Sequence, residues 1–137
     1  MTLYGSSPVS PAEILGKNLA GEIADHYGTP LYLYSEHILR SRCREVKGMV
    51  PSLRWRPFYS MKANGNLSLL RIIRAEGLCC DTMSPGETEM ALAAGFSPEE
   101  ILFVPNNVSA GEFCHAAERG VTVSLDSLSQ LECFGAA

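Results

Sequence analysis

From about residue 53 the chain repeats one pattern four times: an apolar run, a few turn residues, then an amphipathic stretch. The runs are RWRPFYSMK ending at Lys62, LCCDTMS ending at Ser84, ILFVPN ending at Asn106 and VTVSLDS ending near Ser127, and these ends fall about 20 to 22 residues apart. Such a spacing holds one strand, one helix and two tight loops and little else. It predicts βα units building a parallel sheet. Short, regular units favour a (β/α)8 barrel over an open doubly wound sheet, and a barrel takes eight units and about 250 residues. Four units in 137 residues therefore read as the first half of a barrel, the N-terminal part of a longer protein.

The stretches between the runs carry helix signals. SPGE (Ser84 to Glu87) and SAGE (Ser109 to Glu112) have the S-x-x-E form of a capping box, and SLSQ (Ser127 to Gln130) is its glutamine version. Pro85 suits the first helical position. Apolar residues follow at helical spacing, as in Leu67, Leu70 and Ile73 or Met90, Ala93 and Ala94. Gly77, Gly95 and Gly120 stand where left-handed C-caps are wanted.

A different segment precedes the repeats. SPAEILGKNLAGEIADHYG reads as one short helix, GTPLYLYS alternates like a strand, and SEHILRSRCREVKGMV reads as an amphipathic helix. The basic residues of RSRCREVK share that helix with Ile38, Leu39, Cys43 and Val46, so they read as its solvated face. A net charge of −4 leaves no electrostatic footprint for nucleic acid or an anionic membrane. The first residues lack a cationic stretch followed by an apolar core, and no apolar run is long enough to span a bilayer, so a cytoplasmic protein is expected. Cys43, Cys79, Cys80, Cys114 and Cys133 are odd in number, contain no C-x-x-C pair and lie in apolar segments, which predicts buried thiols and neither disulfides nor a metal site.

In a parallel βα protein, ligands bind at the C-terminal ends of the strands, and Lys62 in FYSMKANGN stands at one. Position alone leaves two readings open. In an apolar setting a lysine is disfavoured as ammonium and becomes a nucleophile toward carbonyls; otherwise it snorkels into water. Asp81 in LCCDTM is a carboxylate on a buried strand and needs a partner, whether Lys62, a cofactor cation or a backbone amide. Ser84 and Glu87 are already explained as a capping box.

YGTPLYLYSEHILRSRC, FYSMKANGN, DTMSPGE and DSLSQLE, in this order, resemble the N-terminal portion of the diaminopimelate decarboxylases. These belong to the wider family of barrel-type, fold-type III pyridoxal-phosphate decarboxylases that includes ornithine decarboxylase. The resemblance runs from about Gly28 to the end of the chain, and its most specific element is Y-x-x-K-A-N following a T-P-x-Y-x-Y strand.

The resemblance implies an alanine racemase-like barrel that binds pyridoxal 5'-phosphate, with Lys62 forming the Schiff base. The cofactor then serves as electron sink when carboxylate departs. Asp81 matches the strand-end aspartate beside the cofactor, Glu87 an acidic position near substrate and cofactor, and Ser60 replaces the alanine common two places before the lysine. Residues 1–35 then hold an N-terminal helix and a strand of a separate β-domain, and residues 36–137 the first half of the barrel. The ring-stacking histidine, the glycine-rich phosphate loop, the glutamate facing the pyridine nitrogen and the rest of the β-domain fall beyond Ala137. His26, His37 and His115 do not replace them.

The implied activity is decarboxylation of meso-diaminopimelate to L-lysine by a homodimer, with this chain inactive alone. A decarboxylase of another basic amino acid or polyamine precursor stays open, as does a non-catalytic pyridoxal-phosphate barrel. A packing domain without cofactor would make Lys62 and Asp81 accidental.

Overall fold

The structure, a computed structural model, describes residues 11–50 and 54–135. It divides into two units, one up to Ser35 and one from Glu36 onward. In the first, α1 (Pro11–Tyr27) is 17 residues long, longer than the short helix expected. It closes at Gly28, which has a φ of 81° and donates its N–H to the Ala24 carbonyl at 2.8 Å. Residues 28–35, which alternate like a strand, join no sheet among the described residues. Alternation specifies a face, but a strand exists only as a member of a ladder, and the sequence pattern names no ladder for this segment.

The second unit follows the repeat. After α2 (Glu36–Gly48) come β1 (Phe58–Ser60), α3 (Leu67–Ala75), β2 (Cys79–Thr82), α4 (Pro85–Ala94), β3 (Ile101–Phe103), α5 (Ala110–Glu118), β4 (Thr122–Val123) and α6 (Leu128–Gly135). The strands form one parallel sheet in the order β1-β2-β3-β4. Each strand stops two to four residues before its apolar run does, at Ser60, Thr82, Phe103 and Val123. Single ladder bonds reach past the pairing at both ends. Cys79 donates to the Pro57 carbonyl at 3.0 Å, Val104 to that of Thr82 at 2.8 Å and Ser124 to that of Phe103 at 2.9 Å.

Strand alternation sorts the side chains. Tyr59, Cys80, Ile101, Phe103, Val121 and Val123 pack with Met61, which follows β1, and with Leu70, Ala91, Ala94 and Ala116 of α3, α4 and α5 in one core. Cys43 of α2, Ile73 of α3 and Leu78 form a second cluster, again against Tyr59. The helices thus lie on the face that Tyr59, Cys80 and Phe103 share, the arrangement of a barrel wall. Full burial of a side chain such as Ile73, Ile101 or Phe103 contributes about 1.5–3 kcal/mol, more than a helix cap at about 1 kcal/mol. The core therefore chooses the faces and the caps trim the ends.

That trimming is uniform. At the returns from α3, α4 and α5 to the following strand a glycine has positive φ, 80° at Gly77, 102° at Gly95 and 67° at Gly120. At Gly95 the two bonds of a Schellman motif are plain: Phe96 N–H to the Ala91 carbonyl at 3.1 Å and Gly95 N–H to that of Leu92 at 2.9 Å. Gly77 and Gly120 repeat the pattern, and the next residue, Leu78, Phe96 or Val121, is buried each time.

The basic face of α2 is exposed at Arg42, Arg44 and Lys47, as its sequence suggests, and it is engaged as well. Arg40 Nη1 donates to Glu76 Oε1 at 2.9 Å, and Arg44 grips both oxygens through Nε at 2.8 Å and Nη2 at 2.9 Å. Lys47 Nζ donates to the Glu76 carbonyl at 2.8 Å. Three cations of α2 thus close on the C-terminal end of α3, where the last carbonyls carry partial negative charge. The hydrogen bonds from Arg44 and then Arg40 lower the Glu76 carboxyl from 4.5 to about 2.

Because the folded value lies below the ordinary one, the stability this cluster contributes is complete above about pH 4.5 and is lost as pH falls through about 2. Glu76→Gln should therefore melt at a lower temperature than the parent at pH 7, and the two melting curves should converge as pH approaches 2. Thermal denaturation monitored by circular dichroism across that range checks it, and a constant gap would show that the pairing does not depend on the Glu76 charge.

Candidate functional site

The β1–β2 register sets Ser60 opposite Asp81 and runs on through Leu102 to Thr122. This row lies on the face without helices, at the C-terminal ends of the strands. Ser60 Oγ donates to Asp81 Oδ1 at 2.9 Å. The half-buried carboxylate thus has the partner its position demanded, supplied by the neighbouring strand.

Two residues past Ser60, the chain enters a single 3₁₀ turn, Met61–Ala63. Met61 is anchored in the main core while Lys62 and Ala63 face solvent. The apolar enclosure considered for Lys62 is therefore not formed in this chain: its side chain is exposed, and the neighbouring inner-face residues Phe58 and Leu102 are themselves only partly covered. Among the described residues no hydrogen bond or ion pair engages Lys62. Lys62, without a partner among the described residues and two positions after Ser60, is free to reach a carbonyl compound, with which its amine can condense once deprotonated.

The loop that carries Lys62 is tied down by its own polar residues. Asn64 Oδ1 accepts the Asn66 N–H at 2.9 Å, and the Asn66 side chain caps α3 by accepting from Ser68 N–H at 2.9 Å and Leu69 N–H at 3.4 Å. Between them Gly65 lies so near α4 that an added Cβ would come within 3.2 Å of Met90 Cε. The Tyr59 hydroxyl, reaching from the opposite face of β1, donates to the Asn64 carbonyl at 3.1 Å. The two asparagines flanking a glycine were a readable turn-and-cap signal; nothing in the sequence pointed to the tyrosine hydroxyl.

Glu87 serves the start of the next helix. Ser84 Oγ accepts the Glu87 N–H at 3.2 Å, and Glu87 Oε2 in return accepts the Met83 N–H at 2.5 Å, one residue earlier than the N-cap amide itself. Its carboxylate is therefore engaged in starting α4. Below it, the buried Thr82 and Thr88 share a hydrogen bond of 3.1 Å, and Thr88 Oγ1 also donates to the Ser84 carbonyl at 3.2 Å. The structure thus joins Ser60 and Asp81 directly, sets Lys62 at the adjacent strand end, and gives Glu87 to the helix cap.

The remaining candidates are accounted for in place. Burial raises the thiols of Cys43 and Cys79 and pushes Cys80 up to about 12, so these are unreactive packing groups. Cys114 is only half-buried, and the side chain of Cys133 lies outside the described ones. Among the described residues no cluster could hold a metal ion, and no helix is long and apolar enough to cross a membrane. His37 is exposed on α2, and His115 Nε2 lies 3.0 Å from the Glu89 carboxylate on α4.

A parallel βα wall with a lysine and an aspartate at adjacent strand ends has the build of a barrel-type protein, whose ligands bind at that end. The model of the pyridoxal-dependent decarboxylases, pyridoxal binding domain, matches residues 36–136, and the chain belongs to that family.

Diaminopimelate decarboxylase of Methanothermobacter thermautotrophicus is 42% identical over 120 residues, which are 86% of this chain and 28% of the relative. That of Thermoplasma acidophilum is 35% identical over 109 residues, 80% of this chain and 27% of the relative. This chain thus spans less than a third of the length of these curated relatives. Among solved structures, diaminopimelate decarboxylase from Helicobacter pylori complexed with L-lysine superposes with a TM-score of 0.79 at 28% identity, over 84% of this chain and 29% of that one. The lysine/ornithine decarboxylase from Vibrio vulnificus complexed with putrescine reaches 0.81 at 24% identity, over 94% of this chain and 34% of that one, a likeness of fold alone.

The capping account of α4 can be measured. Ser84→Ala should lower the unfolding free energy by about 1 kcal/mol, whereas Glu87→Gln keeps an acceptor for the Met83 N–H and should cost less. Urea denaturation of the two variants gives the comparison; a larger loss for Glu87→Gln would mean that the charge, and not the cap, is what the position requires.

Proposed function

We propose that this chain supplies the lysine-bearing part of a pyridoxal-phosphate-dependent decarboxylase acting on meso-diaminopimelate to give L-lysine and carbon dioxide. The observation that carries the reading is Lys62, exposed and unengaged among the described residues, on a turn that follows the in-register Ser60–Asp81 pair. The substrate follows from likeness to relatives named as diaminopimelate decarboxylases, two of them at 42% and 35% identity.

The residues present fit the cofactor. Lys62 Nζ is the group that would bind its aldehyde carbon, and the cofactor, when bound, supplies an electron sink for the pair left behind as carboxylate departs. Asp81, with one oxygen held by Ser60, presents negative charge at the neighbouring strand end and would orient cationic nitrogen there. Ser60 keeps the volume between β1 and β2 small while adding the one donor that fixes this carboxylate. Glu87 contributes to the site through the start of α4, which sets the course of the β2–α4 loop.

The intact protein we read as a homodimer on the family resemblance, and as cytoplasmic because the deeply buried thiols of Cys43, Cys79 and Cys80 suit a reducing compartment.

Borohydride reduction in the presence of pyridoxal phosphate, followed by peptide mapping, should place the label on the peptide containing Met61, Lys62 and Ala63. Lys62→Ala and Lys62→Arg should both abolish that label, because a guanidinium does not replace the amine in this chemistry. Label on Lys47 in excess of that on Lys62, or none on Lys62, would remove the assignment.

A further inference from the structure

We infer that the Tyr59 hydroxyl is a positioning residue for Lys62, acting from the opposite face of the sheet. β1 alternates, so Ser60 points into the helix-free face and Tyr59 into the core between the sheet and its helices. Its ring is held from two sides, by the cluster of Met61, Leu70 and Cys80 and by that of Cys43, Ile73 and Leu78. A side chain so packed has little rotamer freedom left, and its hydroxyl therefore has a nearly fixed address. That address is the Asn64 carbonyl, 3.1 Å away.

Asn64 is the residue that ends the 3₁₀ turn of Met61–Ala63, with an extended backbone at φ −167° and ψ 114°. The turn is thus pinned before Lys62 by the ladder at Ser60 and after it by the tyrosine, while the Asn64 side chain passes the constraint to Asn66 and the first turn of α3. A one-turn 3₁₀ segment has poor hydrogen-bond geometry of its own and little to hold its shape. The rigid core lends it that shape through one hydroxyl, and the exposed lysine inherits a defined origin for its flexible side chain. Removing the hydroxyl and keeping the ring should loosen the turn without disturbing the packing.

The role of this turn in cofactor capture rests on the proposed attachment at Lys62, whereas the structural link from Tyr59 to the turn does not, and the experiment separates them. In Tyr59→Phe, amide hydrogen exchange at Ala63, Asn64 and Gly65 should quicken about fivefold, the fold-change of one net hydrogen bond. The rate at which pyridoxal phosphate and borohydride label Lys62 should fall by about the same factor relative to Lys47, which serves as internal reference. Both are read at a temperature where melting curves show parent and variant folded. Unchanged exchange at the turn would overturn the inference outright. Faster exchange with an unchanged Lys62 to Lys47 labelling ratio would leave Tyr59 a structural residue and overturn its positioning role. Absence of labelling at Lys62 in the parent would overturn the attachment itself, and with it the positioning of a cofactor-binding amine, leaving exchange to decide the turn alone.

Discussion

The register of the β1–β2 ladder is the constraint on which the rest depends. Side chains alternate along a strand, so sliding β2 by one residue would exchange its two faces. In the observed register Cys80 enters the core with Ile101 and Phe103, and Asp81 meets Ser60 on the other side. In the slipped one the Asp81 carboxylate would enter the cluster of Met61, Leu70 and Ala91, where an unpaired charge is far more costly than the burial of one thiol can repay. The same alternation that builds the core therefore delivers the carboxylate to the strand end beside Lys62. Fold and site are specified by a single choice of pairing.

Much of this was legible because it is local. Capping residues at Ser84, Ser109 and Ser127 and glycines at the helix ends act within a few residues of themselves, and the structure uses them as expected: Ser109 N–H reaches Glu112 Oε2 at 2.7 Å and Gln130 N–H reaches Ser127 Oγ at 3.2 Å. The order of the strands was also legible, since short crossovers of one handedness leave few other ways to lay consecutive units side by side. Strand ends were overshot because an apolar run continues past the paired residues, into Met61, which belongs to the core, and Val104, which makes a single ladder bond.

What was not legible depends on partners distant in sequence. The basic residues of α2 read as a solvated face and are one, but nothing local shows that Glu76, more than thirty positions on from Arg40 and Arg44, is brought among them. Residues 28–35 alternate as a strand does, yet no sheet among the described residues includes them. Position alone left Lys62 open between an apolar setting and a strand end reaching into water, because the degree of cover over a strand end is a property of surrounding chain that no local pattern encodes. The Tyr59 hydroxyl is the plainest case: a tyrosine in an apolar run reads as core, and only the geometry reveals that its polar tip emerges beneath the turn of Lys62.

The two ends of the sheet consequently differ in kind. At the N-terminal end of the strands charges are matched: Arg40, Arg44 and Lys47 close on Glu76, and Arg74 Nε meets Glu100 Oε2 at 3.2 Å. At the C-terminal end the polar groups are spent on orienting one another, Ser60 on Asp81, Tyr59 on Asn64 and Asn64 on Asn66, while the one cation there is left unengaged among the described residues. In a barrel wall the first end serves stability and the second binds ligands. For the carbonyl-binding role proposed for Lys62, hydrogen bonds among neutral and anionic neighbours can fix its surroundings without occupying it. The division follows from the direction of the strands, because every βα unit puts its helix start and its loop at the same end, and small polar caps and tight polar turns accumulate where substrate would arrive.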